Sequence, residues 1–203
     1  MSFLSECNKD QGKEGKVVLF KRAGRKNTLK TLEAAFDCAK KYNIARIVVA
    51  STYGDTALKA VELMEERDID WCRLVVVTHN FGFKGEPGLE MTHETRDILL
   101  EKGAVVHTGT MPFRTIGTAI RETMGYSQQD LIANTLRLLG QGVKVCVEIA
   151  LMAFDAGLID QQDIVTVAGT GRGADTACII NPAPSNRLFN LKIRQIVAKP
   201  LDW

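Results

Sequence analysis

No apolar run in the 203-residue sequence approaches the ~18 residues that a membrane-spanning helix needs, which argues against an integral membrane protein. The opening 15 residues are polar after Leu4 and lack the apolar heart of a signal peptide, so export is not expected. An excess of one charge is missing too. Twenty-six basic residues face twenty-four acidic ones, a formal net charge of +2. Nucleic-acid and membrane-surface proteins usually carry a stronger basic bias, so neither partner is expected. The five cysteines (Cys7, Cys38, Cys72, Cys146, Cys178) are odd in number and widely spaced, with no pair at metal-ligand or redox spacing. Reduced thiols in a cytoplasmic protein are the simplest reading. Internal repeats, low-complexity tracts and linkers are absent, which points to one domain over residues 1–203.

What is present is an ordinary globular composition, 45% hydrophobic and 25% charged, arranged as short β-rich runs alternating with amphipathic stretches. That alternation predicts an α/β fold with a mostly parallel sheet. Strands are expected at 17–20, 46–50, 73–78, 104–107, 163–168 and 176–180, and an edge strand at 191–198. Asn27 is expected to cap a helix burying Leu29, Leu32, Phe36 and Ala39, and another helix follows Asp55. A further helix is expected at 90–102. Ser127 with Asp130 resembles a capping box that opens a helix with Leu131, Ile132, Thr135 and Leu138 on one face. Residues 143–156 are apolar nearly all round and end at Gly157, as a buried helix would.

Ligands of open parallel sheets bind beyond the carboxyl ends of the strands, where strand order reverses. Three loops carry suitable residues there. Ser51-Thr52-Tyr53-Gly54-Asp55-Thr56 follows a strand and opens a helix, so hydroxyls and free N–H groups can cradle an anion. A plain helix cap explains the same residues equally well. Gly169-Thr170-Gly171-Arg172-Gly173-Ala174-Asp175-Thr176 also follows a strand and lets amides and a guanidinium converge on one oxyanion. The spacing is neither a Walker A sequence nor GxGxxG, and a glycine-rich hairpin is the competing reading. Thr78-His79-Asn80-Phe81-Gly82-Phe83-Lys84-Gly85 offers aromatics and polar edges for a planar ring, or is merely solvated.

Glu148 stands in an otherwise apolar helix. A buried carboxylate needs a partner, a proton or a ligand, and pairing with a neighbouring basic group or helix end is as good an account as ligand contact. Lys144 is one turn earlier, the weaker orientation for an ion pair. The cluster Lys21, Arg22, Arg25, Lys26 is expected at the same sheet edge, solvated or lending charge to the pocket. His93 and His107 have no metal-ligand partner at helical spacing.

These motifs together resemble a known fold. The stretch 39–60, with RIVVASTYGDTALKA within it, is similar to the strand, Ser/Thr-Gly loop and helix that begin the sheet of the pyruvate kinase C-terminal domain, and DIVTVAGTGRGADTACII (163–180) to that domain's last two strands and their Gly-rich turn. With Lys21-x-x-Gly24-Arg25-x-Asn27-Thr28, VVVTHNFGF, KVCVEI and NPA in order, the chain more closely resembles a family of stand-alone prokaryotic proteins of that fold. The resemblance implies a three-layer α/β/α domain whose strand at Thr176 runs antiparallel. It also implies that the strands ending at Ala50 and Ala168 are neighbours, bringing STYGDT and GTGRGADT together. Members of the stand-alone family are associated with bound FMN, which is the cofactor the resemblance implies; in pyruvate kinase the related loop receives a phosphorylated effector. The motifs include none of the kinase's catalytic barrel, so kinase activity is not implied.

The expected ligand is therefore a small phosphorylated molecule, foremost FMN. Its phosphate is expected on the Ser51 and Arg172 loops and its ring against Tyr53, His79 and Phe81. A regulatory sensor of a sugar phosphate or nucleotide is the other reading. A homo-oligomer is compatible with the sequence, and no residue marks hydride transfer.

Overall fold

The described residues of the computed structural model, 16–203, form an α/β unit in which β-branched runs become central strands. Cys7 and the polar opening segment lie outside them. The order is β1 (Val18–Phe20), α1 (Thr28–Tyr42), β2 (Arg46–Ala50), α2 (Asp55–Glu66), β3 (Arg73–Val77), α3 (His93–Glu101) and β4 (Val105–His107). There follow α4 (Thr115–Met124), α5 (Gln128–Arg137), α6 (Gln141–Asp155), β5 (Ile164–Ala168), β6 (Thr176–Asn181) and β7 (Lys192–Pro200).

The seven strands form one sheet in the order β1-β7-β6-β5-β2-β3-β4. Only β6 is reversed, pairing antiparallel with β5 and β7 while the other neighbouring pairs are parallel. Strands β2 and β5 are neighbours, with Val48 opposite Thr166. From β2 the chain winds one way to β3 and β4, and on the other side lies β5, so the carboxyl ends of β2 and β5 flank a crevice.

Alternation along the strands divides the core in two. Ile47, Val49, Val76 and Val165 face a cluster with Leu32 and Phe36 of α1, Ala60 of α2 and Leu99 of α3. Val48, Val75 and Ile164 face the opposite cluster, dominated by α6. Strands covered on both faces need apolar side chains at every position, which is why RIVVA and RLVVV read as continuous runs. Each such side chain contributes about 1.5–3 kcal/mol by leaving water. Cys38, Cys72, Cys146 and Cys178 are buried free thiols, and burial pushes Cys38 and Cys72 up to about 11. No helix of the described residues is long and apolar enough to cross a membrane.

Several local expectations are corrected. Asn27 occupies the helix boundary but does not cap with its side chain, because its amide donates to the Arg22 carbonyl at 2.9 Å. Leu29 is exposed, and Thr28 and Thr31 take the buried face instead. In α5, Ser127 does accept the Asp130 N–H at 3.1 Å, but Leu131 and Leu138 point to solvent and Ala133 is the buried residue. Helix α3 starts at His93 behind a Thr92 cap rather than at residue 90. Strand β7 is internal, held between β6 and β1, and the edges are β1 and β4. Its alternation reflects unequal covering of its two faces. Helix α4 was not expected, although Ile116, Ile120 and Met124 recur at helical spacing; that stripe stays largely exposed and the one buried residue of the helix is Gly117.

Helix α6 approaches β6 so closely that a Cβ on Gly142 would lie 2.1 Å from Thr176 Oγ1 and 2.4 Å from Thr176 Cβ. Alanine favours a helix over glycine by up to about 1 kcal/mol, but this overlap should outweigh that gain. Gly142→Ala is expected to lower unfolding free energy by about 1–3 kcal/mol in a denaturant titration. An unchanged or raised stability would show that α6 is free to move away from the sheet.

Candidate functional site

Two loops are locked together before any ligand is considered. The Asp175 carboxylate, 1% exposed, accepts the Gly24 N–H at 3.0 Å and the Thr170 N–H at 3.1 Å on one oxygen, and the Thr176 hydroxyl at 2.8 Å on the other. Thr28 Oγ1 accepts the Ala174 N–H at 3.0 Å and donates to the Arg25 carbonyl at 2.7 Å. A Cβ on Gly173 would meet Arg25 Cα at 2.7 Å, and φ there is +87°, so glycine is needed twice over. The Lys21-x-x-Gly24-Arg25-x-Asn27-Thr28 and GRGADTA motifs are thus two halves of one clasp, at the carboxyl end of β5.

Beside the clasp lies a cavity of about 300 Å³. The ends of β2, β3 and β5 form one wall and α6 the other. Ser51 Oγ accepts the Ala57 N–H of α2 at 3.1 Å, while a helix start leaves its first N–H groups without intrahelical acceptors. Thr52, Tyr53, Asp55 and Thr56 bring that turn to the cavity, and the positive end of a helix favours an anion there. Thr78 and His79 line it from β3. Gly169, Gly171, Arg172 and Gly173 line it from the β5–β6 loop.

Arg172 is not a free cation. Its Nε donates to Asp55 Oδ2 at 2.7 Å, and its guanidinium lies 4.9 Å from the Tyr53 ring centre. Arg25 stands 3.8 Å from the same Asp55 oxygen. The hydrogen bond from Arg172 holds the Asp55 carboxyl below its ordinary range.

The floor is a buried ion pair on α6. Lys144 Nζ meets Glu148 Oε2, and Glu148 Oε1 accepts the Phe113 N–H at 3.0 Å. Both side chains are almost wholly buried, so the weaker order of the two charges on the helix matters less than the dry surroundings. Burial pushes Lys144 down from its ordinary value, and Arg137 and Arg114 push the same way against the pull of Glu148.

Of the expected contact residues, Gly54, Asn80, Phe81, Gly82 and Thr170 do not line the cavity. Phe81 is 61% exposed. Phe83 takes its place, its ring centre 3.9 Å from that of His79 and tilted by 35°, with His79 Nδ1 3.2 Å from Glu90 Oε1. Gly54 sits against α3 instead, where a Cβ would strike Thr95 Cγ2 at 2.2 Å. Asn80 Oδ1 and Thr170 Oγ1 are buried without a hydrogen-bond partner, both in loops that border the cavity. Arg114, Arg137, Gln141 and Lys144 line it and were not anticipated. A second charge one turn from Glu148 was the only sequence signal for any of them; the two arginines lie in no glycine-rich motif.

The pyruvate kinase alpha/beta domain family model matches residues 30–180. The chain belongs to that family. Solved structures are similar at low identity. One is a pyruvate kinase from Cryptosporidium parvum, 14% identical with a TM-score of 0.40, covering 77% of this chain and 23% of that one. A second structure of that organism's pyruvate kinase is 13% identical, with a TM-score of 0.39 and coverage of 77% and 22%. A third, in complex with ADP, is 15% identical with a TM-score of 0.37 and coverage of 84% and 23%. This chain therefore spans less than a quarter of the length of those kinases. Relative to the family's name, the features described above are those of an α/β domain with a crevice at its switch point.

Glu148→Gln removes the carboxylate that pairs with the buried Lys144 ammonium, and should cost about 3–5 kcal/mol of stability. Glu148→Gln with Lys144→Met should recover most of that loss, because the unpaired charge is gone. Because Lys144 is depressed in the native state, the unfolded chain binds the extra proton between that depressed value and 10.5. The Lys144 contribution to stability therefore rises with pH across that window. Denaturant titrations at two pH values check both points; a Glu148→Gln loss below about 1 kcal/mol would mean the pair is not dry.

Proposed function

We propose that this domain binds a phosphate-bearing small molecule in the crevice between β2, β5 and α6, with FMN the best-matched ligand. The observation that carries the reading is the charge of the cavity. Arg114, Arg137, Lys144 and Arg172 line it against only Asp55 and Glu148, beside the open start of α2. An excess of cations in a partly dry site is stabilised by an oxyanion.

The residues fit a phosphate and a planar ring. The first turn of α2 and the Arg172 guanidinium suit the phosphate. The His79–Phe83 pair supplies an aromatic wall for a ring. A bound flavin would supply redox chemistry of its own. The chain's part is to hold the phosphate at one end, present the apolar wall and exclude water through Met111, Ile149 and Met152. The buried thiols support a reducing, cytoplasmic setting.

One observation favours the alternative, a non-catalytic sensor of a sugar phosphate or nucleotide. At about 300 Å³ the cavity is at the lower end for small-molecule sites. Absorbance of purified protein in the flavin bands separates the two readings.

Fluorescence quenching with FMN and riboflavin tests phosphate recognition: FMN should bind at least about tenfold tighter, the worth of one charge-assisted hydrogen bond. Arg172→Ala should weaken FMN by about tenfold and leave riboflavin unchanged, the loss being limited because Asp55 already shares the guanidinium. Asp55→Asn should release Arg172 and tighten FMN. Equal affinity for FMN and riboflavin would show that the phosphate is not read at all.

A further inference from the structure

The β3 wall of the cavity carries an acceptor that phosphate recognition does not use. His79 follows β3 and lines the cavity. Its Nδ1 lies 3.2 Å from Glu90 Oε1, and the Glu90 side chain is only 7% exposed. Phe83 packs on the imidazole, with ring centres 3.9 Å apart. One edge and one face of the ring are thus taken. Among the described residues, the remaining nitrogen, Nε2, meets no hydrogen-bond partner.

An ionised carboxylate can only accept, so Glu90 holds the ring proton on Nδ1. The neutral imidazole then keeps its lone pair on Nε2. Other strong acceptors of the lining are already in use. Glu148 meets Lys144 and the Phe113 N–H, Gln141 Oε1 accepts from Arg137, and Asp55 Oδ2 accepts from Arg172. Charge decides what can meet Nε2. The Glu90 carboxylate behind the ring disfavours an anion, and a lining with more cations than carboxylates disfavours an ammonium. A neutral donor is left. It must lie near the imidazole plane and beside the Phe83 ring, which suits an N–H on the edge of a flat heterocycle.

We propose that His79 is a specificity-determining residue that accepts a neutral N–H from the edge of the ligand's planar ring, with Glu90 as its positioning residue. The inference rests on the crevice being the ligand site and narrows what it takes. The ligand carries a phosphate toward α2 and a cyclic imide or amide toward β3. Flavin mononucleotide and uracil nucleotides share that chemistry.

NMR of the full chain labelled with 15N-histidine tests this, at about pH 8, above the ordinary imidazole range. The chain has three histidines, so His79→Asn assigns the signals. In the free protein the proton should sit on Nδ1 of His79. FMN or uridine monophosphate should move the Nε2 signal toward its hydrogen-bonded value. Their ring-N-methyl counterparts should leave Nε2 still and bind about three- to tenfold more weakly, the worth of one neutral hydrogen bond. Glu90→Gln, whose amide can donate to Nδ1, should shift the proton toward Nε2 and weaken the unmethylated probes by a similar factor. Movement of Nε2 by uridine monophosphate alone supports the inference and replaces the flavin with a nucleotide. Binding of both probes with Nε2 unmoved overturns the inference and leaves phosphate recognition standing. Movement of Nε2 by ribose 5-phosphate, which has hydroxyls but no ring N–H, overturns the assignment to a heterocycle. A proton on Nε2 in the free protein overturns the role of Glu90. Binding of none of these probes overturns both the inference and the phosphate site.

Discussion

The architecture of the crevice depends on the Asp175 carboxylate. A buried carboxylate without a cation is stabilised only if hydrogen-bond donors surround it, and here three converge on it from two chain segments 151 residues apart. Gly24 and Thr170 are held by the same oxygen atom, so the loop after β1 and the loop after β5 cannot shift independently. Thr28 and Gly173 complete the clasp by letting the two backbones touch. With this edge fixed, Arg172 is presented over the start of α2, where its Nε meets Asp55.

The second constraint is electrostatic. A doubly covered parallel sheet buries its strands completely, so polar and charged groups are displaced to the strand ends and to the first turns of the covering helices. Helix α6 departs from that rule by carrying Lys144 and Glu148 in its buried length. Such a pair adds little net stability over an apolar substitute, because desolvation offsets attraction. At the cavity floor the pair lies beside Arg114 and Arg137, and with Arg172 these leave the lining with more cations than carboxylates.

The sheet was legible because both of its causes act locally. β-Branched runs such as RIVVA and RLVVV mark strands buried on both faces, and Ser51 to Thr56 and Gly169 to Gly173 mark loops that leave strand ends. Helix faces were less legible where small residues do the packing: Ala133 rather than Leu131 in α5, and Thr31 rather than Leu29 in α1. Strand β7 looked like an edge because a partner strand contributed by β1 is remote in sequence. The cavity's basic wall was not legible for the same reason. Arg114 and Arg137 gain meaning only when α5 packs on α6 and the turn before α4 reaches the Glu148 end of that helix, a tertiary placement that no local spacing encodes. Arg172 shows the opposite case: its loop announced a cation, but only the fold reveals that Asp55 already holds it.

The central claim, that this crevice is an oxyanion site, is tested most directly by crystals of the full chain soaked in tungstate, a phosphate-shaped anion visible by anomalous scattering. The account predicts an anomalous peak inside the crevice, within hydrogen-bond distance of the first turn of α2 or of the Arg114, Arg137 and Arg172 guanidinium groups. Peaks confined to the outer surface, with the crevice empty at saturating tungstate, would contradict it.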